Sequence, residues 1–292
     1  MLRRWTACSV KNPKPMPLSI DFSRRSVMAV VNVTPDSFYE ACRTPDAVSI
    51  EARVRRVVAE GAAIIDIGGY SSRPGAEDVA PDEEFRRVAE GLSVVRRVAP
   101  HTAVSVDTFR AEVAARSVEA FGPVIINDIS AGEADPELMK VAARHDVPYV
   151  AMHMRGTPST MQSLTDYDDI VAEVAECLRE RTARLVEAGV RRENIIIDPG
   201  FGFAKTAEQN FRLLSGLHRL RREGFPILVG VSRKSMIYKT LGVGPANALN
   251  GTAALHWECL RQGASILRVH DVREAAEVVR LYEMYEQNSI KL

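Results

Sequence analysis

Along this chain, short apolar runs alternate with longer stretches of helical character, eight times over. The apolar runs fall at 27–33, 62–67, 103–106, 124–126, 147–152, 195–197, 227–231 and 265–269. Most are unbroken rather than alternating, as expected of parallel strands covered on both faces. Each ends in a polar side chain or in glycine: Asn32, Gly68-Gly69, Asp107, Asn127-Asp128, His153, Asp198, Ser232 and His270. Helices are expected near 46–60, 83–98, 110–120, 135–145, 166–188, 206–222, 245–262 and 271–286. Eight β-then-α units with polar strand ends predict a single (β/α)8 TIM barrel, an α/β fold whose post-strand loops build the active site. A doubly wound sheet shares the rhythm but gathers its polar ends at one switch point.

Helix boundaries carry their own signals. Thr44-Pro45-Asp46, Pro81 through Glu84, Asp135-Pro136-Glu137 and Thr165-Asp166 look like helix starts, because caps and early acidic residues satisfy unpaired N–H groups and the dipole. Gly61, Gly189, Gly224 and Gly263 follow helical stretches, where a left-handed turn favours glycine. Residues 1–25 form a polar, irregular N-terminal extension, with an alternating stretch at 18–22 that could close the barrel floor; 26–292 make the barrel domain. No Pro/Ser-rich linker divides the chain, and 292 residues suit one barrel.

Composition narrows the partners. A formal net charge of zero gives no global field that would argue for a nucleic-acid or membrane-surface partner, though net charge hides any local basic cluster. Neither partner is expected, and no apolar run approaches the roughly 20 residues of a membrane span. Cys8, Cys42, Cys177 and Cys259 are scattered, with no zinc-ligand spacing. That pattern, without the apolar core of a secretion signal, predicts a reduced, cytoplasmic setting.

The strand ends then supply chemistry. The loop 68–76 combines glycines, serines and Arg73, a set suited to phosphate. Asp107, Asn127, Asp128 and Asp198 could accept hydrogen bonds or simply cap the next helix. For Asp198 the capping reading is weaker, since two glycines alternate with Phe201 and Phe203 beside it, which suits a planar heterocycle needing a fixed acceptor. Ser232, Lys234, Arg268 and His270 gather donors and positive charge after the last two strands, where barrels bind phosphate. Asn32 is a possible magnesium ligand, since that ion keeps most of its waters and often takes one protein oxygen plus substrate phosphates. Nucleophile elbow, HExxH, Walker loop and Rossmann fingerprint are all missing.

With these motifs in view, the chain resembles the dihydropteroate synthase family. The resemblance rests on NVTPDSF at 32–38, SRPGA at 72–76, SVDT at 105–108, INDI at 126–129 and MHM at 152–154 with Gly156-Thr157-Pro158. It continues through DPGFGF at 198–203, GVSRKSMI at 230–237 and RVHDV at 268–272. It implies condensation of 6-hydroxymethyl-7,8-dihydropterin diphosphate with p-aminobenzoate, assisted by Mg2+, in a homodimer that uses only small-molecule substrates. Asp107, Asn127, Asp198 and Lys234 would hold the pterin, with Met152 and Phe201 against its ring. Ser72, Arg73, Arg268 and His270 would hold the diphosphate; Phe38, Ser72, Pro74 and Ser232 would surround p-aminobenzoate; Asn32 would ligate magnesium. The resemblance departs at Tyr39-Glu40-Ala41-Cys42, where the family has Ser-Asp-Gly-Gly. Glu40 there keeps a catalytic carboxylate, one methylene longer. Tyr70 replaces a usual Glu, Ser72 a Thr and Ala204 a Gly. A pterin-binding paralogue with altered activity, or a pterin-dependent methyltransferase domain, are the competing expectations.

Overall fold

A computed structural model describes residues 21, 24–34, 47–70 and 78–289. The expected floor-closing stretch at 18–22 lies, apart from Asp21, outside these residues. Eight parallel strands form one sheet: β1 Ser26–Asn32, β2 Ile64–Gly68, β3 Ala103–Asp107, β4 Ile125–Asp128, β5 Tyr149–Met152, β6 Ile195–Asp198, β7 Leu228–Val229 and β8 Ile266–Val269. The hydrogen-bonded order is β6-β5-β4-β3-β2-β1-β8-β7. A parallel bridge between Ile197 and Ile227 links β6 to the residue before β7, so the sheet returns on itself as a barrel.

The helices are α1 Ala47–Ala59, α2 Pro81–Val98, α3 Ala111–Phe121, α4 Glu137–His145, α5 Ile170–Glu187, α6 Ala207–Ser215, α7 Ser235–Tyr238, α8 Leu249–Gln262 and α9 Val272–Asn288. Pro81 opens α2 with Asp82, Glu83 and Glu84 in its first turn, as the sequence predicts. Helix α5 starts later than expected. Asp169, not Asp166, caps it by accepting from the N–H groups of Val171 and Ala172. The stretch 206–222 splits into α6, begun by a Thr206/Gln209 capping box, and a 3-10 turn over Leu217–Glu223. Helix α7, a single turn, was not expected at all.

Inside the barrel, Met28, Ile64, Ile125, Val150, Ile196, Leu228 and Ile266 form a closed apolar cluster with Ala103 against it, one residue from each strand. Burying each large side chain contributes about 1.5–3 kcal/mol. Side chains alternate faces along a strand, so the next inward position is two residues on. Those positions are Val30, Asp66, Ser105, Asn127, Met152, Asp198, Gly230 and Arg268. Five of these eight are polar or charged, so the barrel turns from an apolar floor toward a polar mouth within one step. The larger core lies between strands and helices.

Candidate active site at the barrel mouth

The loop after β6 is shaped around Asp198. Its Oδ1 accepts from the Gly200 N–H at 2.7 Å, while Oδ2 takes no hydrogen bond from the described residues. Gly200 has φ 68°, and a Cβ there would lie 2.0 Å from the His153 carbonyl oxygen, so only glycine fits. Two lysines hold the loop through its carbonyls. Buried Lys205 donates at 2.9 Å to the carbonyls of Gly200 and Phe203 and to His153 Nδ1, using all three of its hydrogens. Lys234, from the loop after β7, donates to the Phe201 carbonyl and sits 4.9 Å from the centre of the Phe203 ring.

This geometry corrects one expectation. The Phe201 side chain is fully buried in the core between strands and helices. Phe203 instead packs with Ile129, Met152, Met154, Met161 and Ala204 beneath Lys234, and it supplies the aromatic wall. The left-handed turns in this loop break the simple alternation that a strand would keep. Ala204 also stands at φ 50°, a conformation that costs a residue with a Cβ about 1–2 kcal/mol. The family's usual glycine would adopt it freely.

On the far side of the mouth, Arg268 donates from Nε to Asp66 Oδ2 at 2.7 Å and from Nη2 to Asp107 Oδ2 at 2.7 Å. Asn127 Nδ2 donates to the same Asp66 oxygen at 3.2 Å. Asp66 was not among the expected site residues. The available signal was a lone carboxylate inside the otherwise apolar run of β2. Asp128, by contrast, is a structural residue. It accepts from the Ser130 N–H and hydroxyl, the Gly132 N–H and the Tyr149 hydroxyl, and so fixes the loop after β4.

Short approaches join these groups into one mouth. A Cβ placed at Gly230 would lie 3.8 Å from Lys234 Nζ and 3.9 Å from Arg268 Cβ. One at Gly68 would meet Asn32 Oδ1 at 3.1 Å and Asp107 Cβ at 3.6 Å. His270 is exposed at the rim, and its backbone N–H donates to the hydroxyl of buried Ser232 at 3.2 Å. Asn32, Asp107, Asn127, Met152, Asp198, Ser232, Lys234, Arg268 and His270 therefore converge. Phe38, Glu40, Ser72, Arg73 and Pro74 lie outside the described residues. A cleft of about 630 Å3 lined by Tyr70, Phe109, Arg110, Ile129 and Met154 adjoins the mouth. A larger one of about 770 Å3, lined by Arg25, Arg192, Phe225 and Tyr282, lies at the opposite end of the barrel and is remote from these groups.

Burial sets the electrostatics. Desolvation raises the Asp198 carboxyl, against the attraction of Lys234 and the Gly200 hydrogen bond. It lowers Lys234 to about 8, against the attraction of Asp198. Asp107 is pushed up to about 7, by desolvation first, with Arg268 pulling it down and Asp66 pushing it up. Below about pH 7 folded Asp107 keeps a proton that the unfolded chain has already lost, so its contribution to stability falls as pH rises from about 4 to about 7. Asp107→Asn removes this cost while Arg268 keeps Asp66. In urea unfolding, the variant should gain on the parent by on the order of 1–3 kcal/mol more at pH 8 than at pH 5. An equal difference at both pH values would mean that Asp107 ionises as an ordinary carboxylate.

Among the described residues, no group of three or more His, Cys, Asp or Glu side chains is arranged to hold a metal, and no helix is long and apolar enough to cross a membrane. The Asn32 side chain makes no hydrogen bond to the described residues. Its free amide oxygen is the hard, neutral donor that a largely hydrated magnesium ion accepts.

Comparison with known proteins agrees with this geometry. The model of the pterin binding enzyme family matches residues 28–270. A dihydropteroate synthase of Escherichia coli K12 is 42% identical over 267 residues, covering 91% of this chain and 93% of that protein. One from Synechocystis is 42% identical over 274 residues, covering 92% and 94%. The crystal structure of Yersinia pestis dihydropteroate synthase in a sulfonamide drug complex superposes with a TM-score of 0.86 at 36% identity, covering 92% of this chain and 97% of that one. That of the Xanthomonas albilineans enzyme with 4-aminobenzoic acid gives 0.81 at 38% identity, covering 92% and 95%.

Proposed function

The chain belongs to the pterin-binding enzyme family and is a transferase of the dihydropteroate synthase type, and we propose that the barrel mouth joins 6-hydroxymethyl-7,8-dihydropterin diphosphate to p-aminobenzoate as follows. The observation that carries this reading is the convergence of Asp198, Asn127 and Asp107 with Lys234 and Arg268 at one barrel mouth above an apolar floor.

In this reading the pterin ring lies on Met152 and Phe203. The free oxygen of Asp198 accepts from a ring N–H and the amino group, Asn127 and Asp107 add polar contacts, and Lys234 donates to a ring acceptor. The diphosphate points toward Arg268 and His270, with Ser72 and Arg73 from the second loop. Phe38, Ser72, Pro74 and Ser232 surround p-aminobenzoate, and Glu40 supplies a carboxylate from the first loop. The methylene–oxygen bond breaks with its electron pair leaving on diphosphate, and the positive charge spreads into the ring. The arylamine nitrogen then bonds to the methylene and releases its proton. Carboxylates fixed before the reaction stabilise the cation, and fixed cations stabilise the departing anion, without reorganisation at the moment of bond breaking. Magnesium held through Asn32 would offset charge on the diphosphate.

A homodimer fits the exposed apolar residues of α9, where Leu281, Met284 and Tyr285 are 64%, 59% and 58% exposed. A cytoplasmic setting fits the free thiols of Cys177 and Cys259. The test is product formation by the purified protein from both substrates. Dihydropteroate and diphosphate should appear together, only with p-aminobenzoate present, and should fall when magnesium is chelated. Tight pterin binding with no diphosphate released would instead identify a family member that has lost the transfer.

A further inference from the structure

We propose that Asp66 is a positioning residue that fixes the Arg268 guanidinium and the Asn127 amide relative to one another, so that the ring site and the anion site are assembled as one unit. The proposal rests on the functional reading above for the identities of those two sites. Asp66 is fully buried in the middle of β2, between Ile65 and Ile67. One of its oxygens takes both Arg268 Nε and Asn127 Nδ2, from strands β8 and β4 on opposite sides of the barrel. Its other oxygen, Oδ1, has no partner, and neither does the buried hydroxyl of Ser105, which is Asp66's register partner on β3.

A carboxylate in this position costs desolvation that an apolar side chain would avoid, so its presence is not explained by barrel stability. What it does explain is orientation. An arginine held only by Asp107 could rotate about its terminal bonds. The second bond, at Nε, fixes the plane of the guanidinium. With Nε and Nη2 engaged, Nη1 has no partner among the described residues and remains available to a bound anion.

The test uses the full-length protein with Asp66→Asn and Asp66→Thr, two variants so that poor folding of one leaves the other. Binding of inorganic diphosphate should weaken by at least about tenfold, the loss expected when a charge-assisted contact is misaligned. In turnover, kcat should fall while KM for p-aminobenzoate changes little. A double-mutant cycle separates positioning from a merely structural role. In an Arg268→Ala background, either Asp66 change should have almost no further effect on diphosphate affinity. Losses that simply add, or wild-type diphosphate affinity in both variants, would overturn the proposal. A parent protein that releases no diphosphate would overturn the functional reading instead, while the diphosphate titration would still decide the role of Asp66.

Discussion

Replacing Asp198 with Ala should reduce affinity for dihydropterin diphosphate by about a hundredfold or more, the largest single loss from any residue in the mouth. One carboxylate oxygen is already committed to the Gly200 N–H at 2.7 Å, so the loop conformation and the ligand contact depend on the same group. Removing it forfeits charge-assisted hydrogen bonds worth about 1.5–3 kcal/mol each and frees a loop that glycine makes flexible. Asp198→Asn isolates the charge, since an amide can still accept from Gly200 but cannot neutralise a cation in the ring. We expect it to bind the pterin moderately and turn over slowly. Calorimetric titration with the pterin diphosphate, paired with turnover, reads both. Wild-type affinity in Asp198→Ala would remove the ring from this site.

The second large effect is at Lys234. Its ammonium bridges from the loop after β7 to the Phe201 carbonyl, lies against the Phe203 ring and approaches Arg268 across Gly230. Lys234→Met keeps most of the stem packing and removes the charge. Pterin diphosphate affinity should fall by about a hundredfold, through loss of a charged donor in a buried site. Burial lowers this lysine to about 8, against the attraction of Asp198. Affinity of the parent protein should therefore decline above about pH 8 as the ammonium loses its proton, and Lys234→Met should lack that decline. Retention of the same alkaline loss in the variant would assign it to another group.

Much of this site can be seen in the order of residues along the chain. Polar residues ending apolar runs are conspicuous, which is why Asn32, Asp107, Asn127, Asp198 and His270 could be picked out before any coordinates. Where the reading failed, the reasons are physical. Asp66 sits within a run that is otherwise Ile-Ile and Ile, and averaging the run as apolar conceals a carboxylate whose partner is 202 positions away. Phe201 and Phe203 cannot be assigned to faces by alternation, because Gly200 and Gly202 both adopt positive φ between and beside them. Lys205 looks like an ordinary surface lysine before a helix. Only the fold reveals that three acceptors converge on it from two loops. Asp128 and Asp198 both end apolar runs, and the sequence favours the second as an acceptor only through the Gly-Phe-Gly-Phe stretch beside it. They are separated by Ser130, Gly132 and Tyr149, which occupy both oxygens of the first, whereas one oxygen of the second is left open.

The most direct test of the convergence is a crystal structure of the protein with the pterin diphosphate bound. The account predicts the ring over Met152 and Phe203, with Asp198 and Asn127 within hydrogen-bond distance of it and the phosphates directed toward Arg268 and His270. A ring bound outside the barrel mouth, or one whose phosphates point toward Asp198, would contradict it.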